Sequence, residues 1–241
     1  MKYEFTGEVI IYKGHELKRI RRVLDHLLGG YIESENNLSQ EGNCFVFGNA
    51  KVFGNAKVEE NAFIYDQVTV SGNAKLSGNC KIFNYVKIEG NAKVYDNAMV
   101  ADSAIISDNA KVFGNAIVIN NAKVYGSARV RENAKVSENA KVLDRAMIIG
   151  IAIVSGDAII SGEEVISVGK INTEYKNFVF YQQSDTMGFT AITTLDGEVL
   201  FNLGIQNLIT KEKFIKILER NYLSKIKTHE IDFYLKILNL Y

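Results

Sequence analysis

The chain has 241 residues, of which 47% are apolar, and this composition excludes a disordered chain. Lysine plus arginine and aspartate plus glutamate both number 28, so the overall charge gives no reason to expect a polyanionic partner, although one face can still be charged. The N-terminus lacks the layout of a signal peptide and no apolar stretch approaches the ~18 residues of a membrane span, so we expect a cytoplasmic protein with no membrane contact.

Residues 1–40 are predicted to form a β-rich cap. Residues 3–12 have the character of a strand, Lys13 and Gly14 that of a turn, and residues 17–28 form a mixed apolar and basic segment that ends at Gly29. A cap is needed because the ends of a stack of repeats expose unpaired strand edges and core.

Residues 41–168 consist of a six-residue repeat: a small residue, a variable one, Val or Ile, a variable one, Gly or an acid, and Asn. The aliphatic positions recur without a slip at Val46, Val52, Val58, Ile64, Val70, Leu76, Ile82, Ile88, Val94, Val100, Ile106, Val112, Val118, Val124, Val130, Val136, Val142, Ile148, Val154, Ile160 and Ile166. In a strand the small and the aliphatic residue point inward together. Asn tolerates the left-handed backbone that a tight corner needs. Six residues per side predict three sides, eighteen residues per coil and about seven coils.

An α-helix would need a period near 3.6 and collagen needs glycine at every third position, so both are excluded. The repeat resembles the hexapeptide-repeat family of parallel β-helices, and the resemblance implies a left-handed coil. The predicted fold is therefore mainly β: a three-sided left-handed parallel β-helix between an N-terminal β-rich cap and a C-terminal module.

Residues 169–241 are predicted to form this C-terminal α+β module. Strands are expected at residues 177–183, 189–194 and 198–202, with turns at Ser184-Asp185 and Asp196-Gly197. Thr210 is expected to cap a helix that runs to about Tyr222, and a second helix follows at residues 228–240.

Three segments near the N-terminus carry a second resemblance: HELKRIR (15–21), GGYIESE (29–35) and NLSQEGN (37–43). They resemble uncharacterised repeat proteins of phages and prophages, closely over the N-terminal half and only in layout over the last third. The resemblance implies a phage-associated origin, residence in the bacterial cytoplasm and no established activity.

The best-known enzymes with this β-helix are acyltransferases that act on coenzyme A thioesters and use a histidine base near an extruded loop. Here the three histidines, His15, His26 and His229, lie outside the repeats, and no loop interrupts the repeats. We therefore expect no enzyme, no catalytic residue and no cofactor. A divergent acyltransferase remains the alternative, with His26 or His229 as its base.

The two cysteines, Cys44 and Cys80, occupy the inward small position two coils apart, at roughly 9.6 Å. This separation is beyond the reach of a disulfide, and two thiols do not make a metal site. We expect small buried hydrophobes and no metal.

Because every eighteenth residue stacks, the outward side chains sort into three faces. One face carries a column of cations beside two aromatic residues, which we name the basic face and predict to bind a partner. Its residues are Lys57, Lys75, Lys93, Tyr95, Lys111, Phe113, Arg129 and Arg131. Such a column suits nucleic acid or an acidic protein surface. The alternative is that lysine is the usual solvated residue here, with turn acids such as Asp96, Asp108 and Glu132 offsetting the charge.

The second face, named the apolar face, is predicted to mediate self-association, most simply in a dimer, because so long an apolar stripe needs cover. Its residues are Phe45, Phe47, Phe63, Tyr65, Phe83, Met99, Ile117 and Ile119, with Ile153 beyond. The alternative is that the C-terminal tail folds back and covers this face. The third face, with Thr69, Ser71, Lys87, Glu89, Ser107 and Lys123, is predicted to face solvent.

These observations favour a non-catalytic, oligomeric binding protein that engages a bacterial protein or nucleoprotein complex. Inhibition of a host defence complex, such as a CRISPR effector, is one hypothesis. A virion or structural component is another alternative.

Overall fold

The computed structural model describes residues 1–163, 165–166, 170–171, 175–183, 187–194, 199–203 and 206–210, together with Glu212 and Lys216. The chain divides into two compact units, Met1–Asn172 and Thr173–Tyr241.

The first unit begins with three longer strands, β1 (Tyr3–Tyr12), β2 (His15–Arg22) and β3 (Leu28–Ile32), and one turn of 3-10 helix at Glu35–Asn37. Strand β2 pairs antiparallel with both β1 and β3. The N-terminal segment is thus β-rich, as the sequence predicts.

Each repeat then contributes a strand of two residues. These strands are β4 (Phe45–Val46), β5 (Lys51–Val52), β6 (Lys57–Val58), β7 (Phe63–Ile64), β8 (Thr69–Val70), β9 (Lys75–Leu76), β10 (Lys81–Ile82), β11 (Lys87–Ile88), β12 (Lys93–Val94), β13 (Met99–Val100), β14 (Ile105–Ile106), β15 (Lys111–Val112), β16 (Ile117–Val118), β17 (Lys123–Val124), β18 (Arg129–Val130), β19 (Lys135–Val136), β20 (Lys141–Val142), β21 (Met147–Ile148), β22 (Ile153–Val154), β23 (Ile159–Ile160), β24 (Val165–Ile166) and β25 (Lys170–Ile171).

Three parallel sheets form the sides of a β-solenoid, since each strand from β4 to β22 pairs with the strand three places further along. The basic face lies on the sheet β6-β9-β12-β15-β18-β21-β24, and the apolar face on β4-β7-β10-β13-β16-β19-β22-β25. The third face lies on β5-β8-β11-β14-β17-β20-β23, and the same sheet continues through β3 to β2 and β1 of the cap. The predicted three-sided parallel architecture is confirmed.

The solenoid has eight coils, so the predicted number of about seven is too low by one. Ile32 pairs with Val52 and Leu38 bridges to Val58, and both are fully buried, so they form a first coil with Val46. At the other end, Ile171 pairs with Val154 only five residues after Ile166. The sequence count missed both steps because their spacing departs from six.

The inward side chains form a continuous core along the solenoid axis. Every small and aliphatic position from Ala50 to Val154 is fully buried. Removing one Val or Ile side chain from water contributes about 1.5 to 3 kcal/mol, so the stack of coils supplies most of the stability of this unit.

The corners differ from the prediction in one respect. The residue with left-handed backbone is the one before the Asn position, which is a Gly or an acid, as in Gly54 (φ 66°) and Asp96 (φ 58°), except at Asn84 and Asn120. The Asn side chains instead form ladders along the corners, for example from Asn55 Nδ2 to Asn73 Oδ1 at 3.0 Å. Stacking satisfies each amide with its neighbour, which explains why Asn recurs at this position.

Acids at the corners connect neighbouring coils. The carboxylate of Glu60 accepts the N–H of Gly78 at 2.7 Å, and Asp96 accepts that of Gly114 at 3.1 Å. At this corner the left-handed position alternates between glycine and acid: Gly42, Glu60, Gly78, Asp96, Gly114, Glu132, Gly150. Each carboxylate therefore has a backbone donor beside it in the next coil, and acids do not stack directly on one another.

Asn37 closes the first coil. Its side chain is fully buried, its Nδ2 donates to the carbonyl oxygens of Gly54 and Ala56 at 2.9 Å each, and its Oδ1 accepts the N–H of Ser34 at 2.9 Å. One side chain thus satisfies three backbone groups at the edge of the stack, where no preceding coil supplies partners.

Tyr3 covers the same end of the core. Its ring is buried and its hydroxyl donates to the carbonyl of Leu38 at 2.9 Å. Burial, with the nearby Glu35 adding to it, raises the pKa of Tyr3 from 10.0 to about 12. The folded protein therefore holds this proton more tightly than the unfolded chain does.

We expect the stabilisation by Tyr3 to be fully present below pH 10 and to be lost as the pH rises towards 12. Tyr3→Phe should lower the free energy of unfolding by about 1 kcal/mol at neutral pH, because one buried hydrogen bond is lost. Denaturant titrations of both proteins at a series of pH values test this expectation. The difference between them should shrink above pH 10, and a difference that stays constant up to pH 12 would contradict it.

The described part of the second unit forms one antiparallel sheet of four strands in sequential order: β26 (Tyr175–Gln183), β27 (Met187–Thr194), β28 (Val199–Leu203) and β29 (Gln206–Thr210). The first three match the predicted strands, and β29 was not predicted. Glu212 and Lys216, within the first predicted helix, are helical. The rest of that helix, the second helix and both predicted turns lie outside the described residues.

Candidate binding surface

The basic face is built by strands in strict register. Lys57, Lys75, Lys93, Lys111 and Arg129 each pair directly with the next, so their side chains form one column. At ~4.8 Å per coil the column extends about 19 Å. It ends at Met147, which pairs with Arg129.

Among the described residues, four of these five cations form no ion pair. Lys75 forms an ion pair with Glu59 at 2.6 Å, and Arg131 lies 3.6 Å from Glu132. Within residues 1–163, no ion pair involves Lys57, Lys93, Lys111 or Arg129. Their mutual repulsion across one strand spacing is reduced only by solvent and salt.

The turn acids lie along the corners that border this face. Asp96, Asp108 and Glu132 each direct a carboxylate oxygen to a backbone N–H of the next coil, at 3.1, 2.9 and 2.8 Å. These hydrogen bonds hold the carboxylates along the corners, beside the column of cations.

A second column on the basic face contains Glu59, Ser77, Tyr95, Phe113 and Arg131, each two residues after a cation and directly after the end of its strand. The rings of Tyr95 and Phe113 are stacked, with centroids 4.8 Å apart and planes 7° apart. Partial burial, followed by the nearby Asp96, raises the pKa of Tyr95, so its hydroxyl stays protonated at neutral pH.

The apolar face is less continuous than predicted, because Lys81 lies between Phe63 and Met99, and Lys135 lies between Ile117 and Ile153. Its aromatic residues concentrate near the N-terminal end, where Phe47 stacks on Tyr65 with centroids 4.7 Å apart.

Phe45, at the start of the apolar face, is only 1% exposed, and the guanidinium of Arg22 lies 5.5 Å from its ring centroid. This residue is therefore part of the packing of the cap. Self-association through the remaining residues of the face stays a prediction.

His15 occupies a site that the sequence analysis did not identify. Its Nδ1 lies 2.9 Å from Glu33 Oε1, and its ring centroid lies 4.7 Å from that of Phe53. Glu33 Oε2 accepts the N–H of Gly54 at 2.6 Å, and the hydrogen bonds from His15 and Gly54 lower the pKa of Glu33. The pair joins the cap hairpin to the first two coils. Of the candidate bases, His26 is exposed in the connection between β2 and β3, and His229 lies outside the described residues.

Cys44 and Cys80 are free and buried. Burial raises the pKa of the Cys80 thiol to about 12, so Cys80 is not a nucleophile at neutral pH. Among the residues described, His, Cys, Asp and Glu form no cluster that could hold a metal ion. In the same part of the chain, no helix combines the length and the apolar character needed to cross a membrane.

Comparison with known proteins supports the architecture. The family model described as YdcK beta solenoid repeat matches residues 92–108, about one coil, which includes Lys93 and Tyr95. No curated protein matches the chain. The match and the fold together identify a β-solenoid repeat protein.

Proposed function

We propose that this β-solenoid is a non-catalytic binding protein whose basic face binds an anionic macromolecule. The observation that carries the proposal is the uninterrupted register of Lys57, Lys75, Lys93, Lys111 and Arg129. A polyanion that lies along this column relieves the repulsion between its cations and releases its own counterions.

The third face argues against the alternative that lysine is simply the usual solvated residue at this position of the repeat. It uses the same outward position of the repeat, yet there Thr69 and Ile105 interrupt the lysines, in the order Lys51, Thr69, Lys87, Ile105, Lys123, Lys141. A repeat that merely favours lysine at this position would not distinguish between its faces.

The rigid backbone beneath the column of cations is a second observation that supports the proposal. Neighbouring coils are joined by backbone hydrogen bonds, such as Lys93 N–H to the carbonyl of Ala110 at 2.9 Å, and the core beneath is fully buried. The positions of the column are fixed before any ligand arrives, so binding does not have to order the backbone.

The phage resemblance extends the proposal to a bacterial partner, including a nucleoprotein complex of host defence. Affinity capture from bacterial lysate with and without nuclease tests this extension. A stoichiometric protein partner that survives nuclease supports it, and recovery of nuclease-sensitive material alone restricts the proposal to nucleic acid.

Neutralising three cations of the basic face should weaken binding and its salt dependence. In the triple variant Lys93→Gln, Lys111→Gln, Arg129→Gln, the negative slope of log K against log salt for a single-stranded oligonucleotide should become shallower by about 2, since each phosphate contact contributes about −0.7. Fluorescence anisotropy with a labelled strand of about a dozen nucleotides measures this slope.

A matched control lies on the third face. Lys87→Gln, Lys123→Gln and Lys141→Gln remove three cations from the same repeat position and change the net charge similarly. This variant should retain the slope of the parent protein. Equal losses in the two triple variants would contradict a role for the basic face, because net charge alone would then account for binding.

A further inference from the structure

We infer that the basic face holds a slot for one nucleobase on the open side of Tyr95, and that its ligand is single-stranded nucleic acid. This inference rests on the proposed function and narrows it. Its basis is the order of the residues Glu59, Ser77, Tyr95, Phe113 and Arg131 along one column.

The two faces of the Tyr95 ring have different surroundings. Phe113 covers one face, in a stack with planes 7° apart. The opposite face is directed towards the preceding coil, where the outward residue is Ser77, joined to this coil by its backbone N–H and the carbonyl of Val94 at 3.1 Å. A serine fills little of the space beside an aromatic ring.

The available depth fits a single planar ring. Glu59 and Tyr95 are two coils apart, which is about 9.6 Å at ~4.8 Å per coil. A ring stacked on Tyr95 takes up about 3.5 Å, and a similar distance separates it from the next group. The space above Ser77 therefore admits one base and excludes a second. Phe113 offers no such space, because Arg131 follows it in the next coil.

The charges around the slot fit a base flanked by phosphates. Lys75 and Lys93 precede Ser77 and Tyr95 by two residues, so their side chains lie on the same face of the solenoid. Glu59, held by Lys75 at 2.6 Å, borders the far side of the slot. An uncharged base can donate an amino hydrogen to this carboxylate, whereas a phosphate there would be repelled.

The third face contains a natural comparison for this arrangement. Glu89, Ser107 and Tyr125 follow one another at the same spacing, but Ile105 occupies the place that corresponds to Lys75. The same order of side chains thus occurs without the continuous column of cations, and a substitution at Ser107 serves as a control for one at Ser77.

The test compares the affinities of two labelled single strands of equal length, one with bases and one with abasic sugars, by fluorescence anisotropy. The parent protein should bind the strand with bases about 5- to 150-fold more tightly, the range for stacking of one base. Ser77→Phe, which fills the slot, and Tyr95→Leu, which removes the ring, should each reduce the affinity to that for the abasic strand. Ser107→Phe should leave the affinity unchanged.

Each outcome decides between the alternatives. Equal affinity of the parent protein for both strands would overturn the slot and leave a face that binds phosphates without using the bases, so the proposed function would stand. An equal loss with Ser107→Phe would also overturn it, because the effect would not be specific to the basic face. Binding of an acidic polypeptide but of neither strand would exclude nucleic acid as the ligand, and binding of no polyanion would overturn the proposed function as well.

Discussion

Asn37→Ala is expected to lower the free energy of unfolding of the first unit by about 3 to 5 kcal/mol, because a buried polar group left without its partner costs about 1 to 3 kcal/mol. The substitution removes the donors to the carbonyls of Gly54 and Ala56 and the acceptor for the N–H of Ser34. Water cannot readily replace them, since Asn37 is fully buried. Denaturant titration followed by circular dichroism measures the change.

Asn55→Ala provides the comparison. Asn55 is exposed and its amide donates to Asn73 at 3.0 Å in a corner ladder, so its loss should cost only about 0.5 to 1 kcal/mol. If the two alanine variants lose similar stability, Asn37 does not terminate the stack as we describe.

Gly78→Ala should destabilise the solenoid by about 2 to 5 kcal/mol through two separate effects. Gly78 has φ +68°, a backbone that costs other residues about 1 to 2 kcal/mol. A Cβ at this position would also lie 2.5 Å from the backbone nitrogen of Asp96 in the next coil. Relieving that overlap requires the coils to separate or to shift, which adds a cost of overpacking of about 1 to 3 kcal/mol.

Gly162→Ala separates the two effects. Gly162 has nearly the same backbone, φ +72°, but a Cβ there meets no atom of the described residues within 4 Å. The free energy of unfolding of this variant should fall by only about 1 to 2 kcal/mol, which is the cost of the left-handed backbone. Thermal and denaturant unfolding of both variants measure the difference, and equal losses would show that contact between coils contributes nothing at Gly78.

The repeat made most of the solenoid predictable. A strict spacing of six fixes which side chains point inward, and multiples of eighteen fix which of them stack, so the column from Lys57 to Arg129 follows from arithmetic on the sequence. The same arithmetic places Tyr95 next to Phe113, although only the structure shows that their rings are parallel.

Prediction failed where local spacing departs from six or where the contact is not periodic. Leu38 and Val46 are eight residues apart, so the first coil was not recognised. The contacts of Asn37 with the next coil and of His15 with Glu33 depend on how the cap folds over the end of the solenoid. Such contacts between a cap and a repeat leave no periodic signal in the sequence.

The corners show a different limitation. The corner has two candidate positions for the left-handed backbone, the Gly or acid and the Asn that follows it. The residues at both positions tolerate this backbone, so residue preference alone could not decide between them. In the structure the first of the two positions, as at Glu60, has the left-handed backbone. The carboxylate of Glu60 then accepts a backbone N–H of the next coil, while the neighbouring Asn61 belongs to an asparagine ladder.

The central claim is that the basic face binds a polyanion, and the most direct measurement is the affinity of the unmodified protein for a labelled single strand over a range of salt concentrations. With four to five phosphates contacted by the column, the slope of log K against log salt should be about −3. Binding that is absent at low salt, or that is insensitive to salt, would contradict the claim.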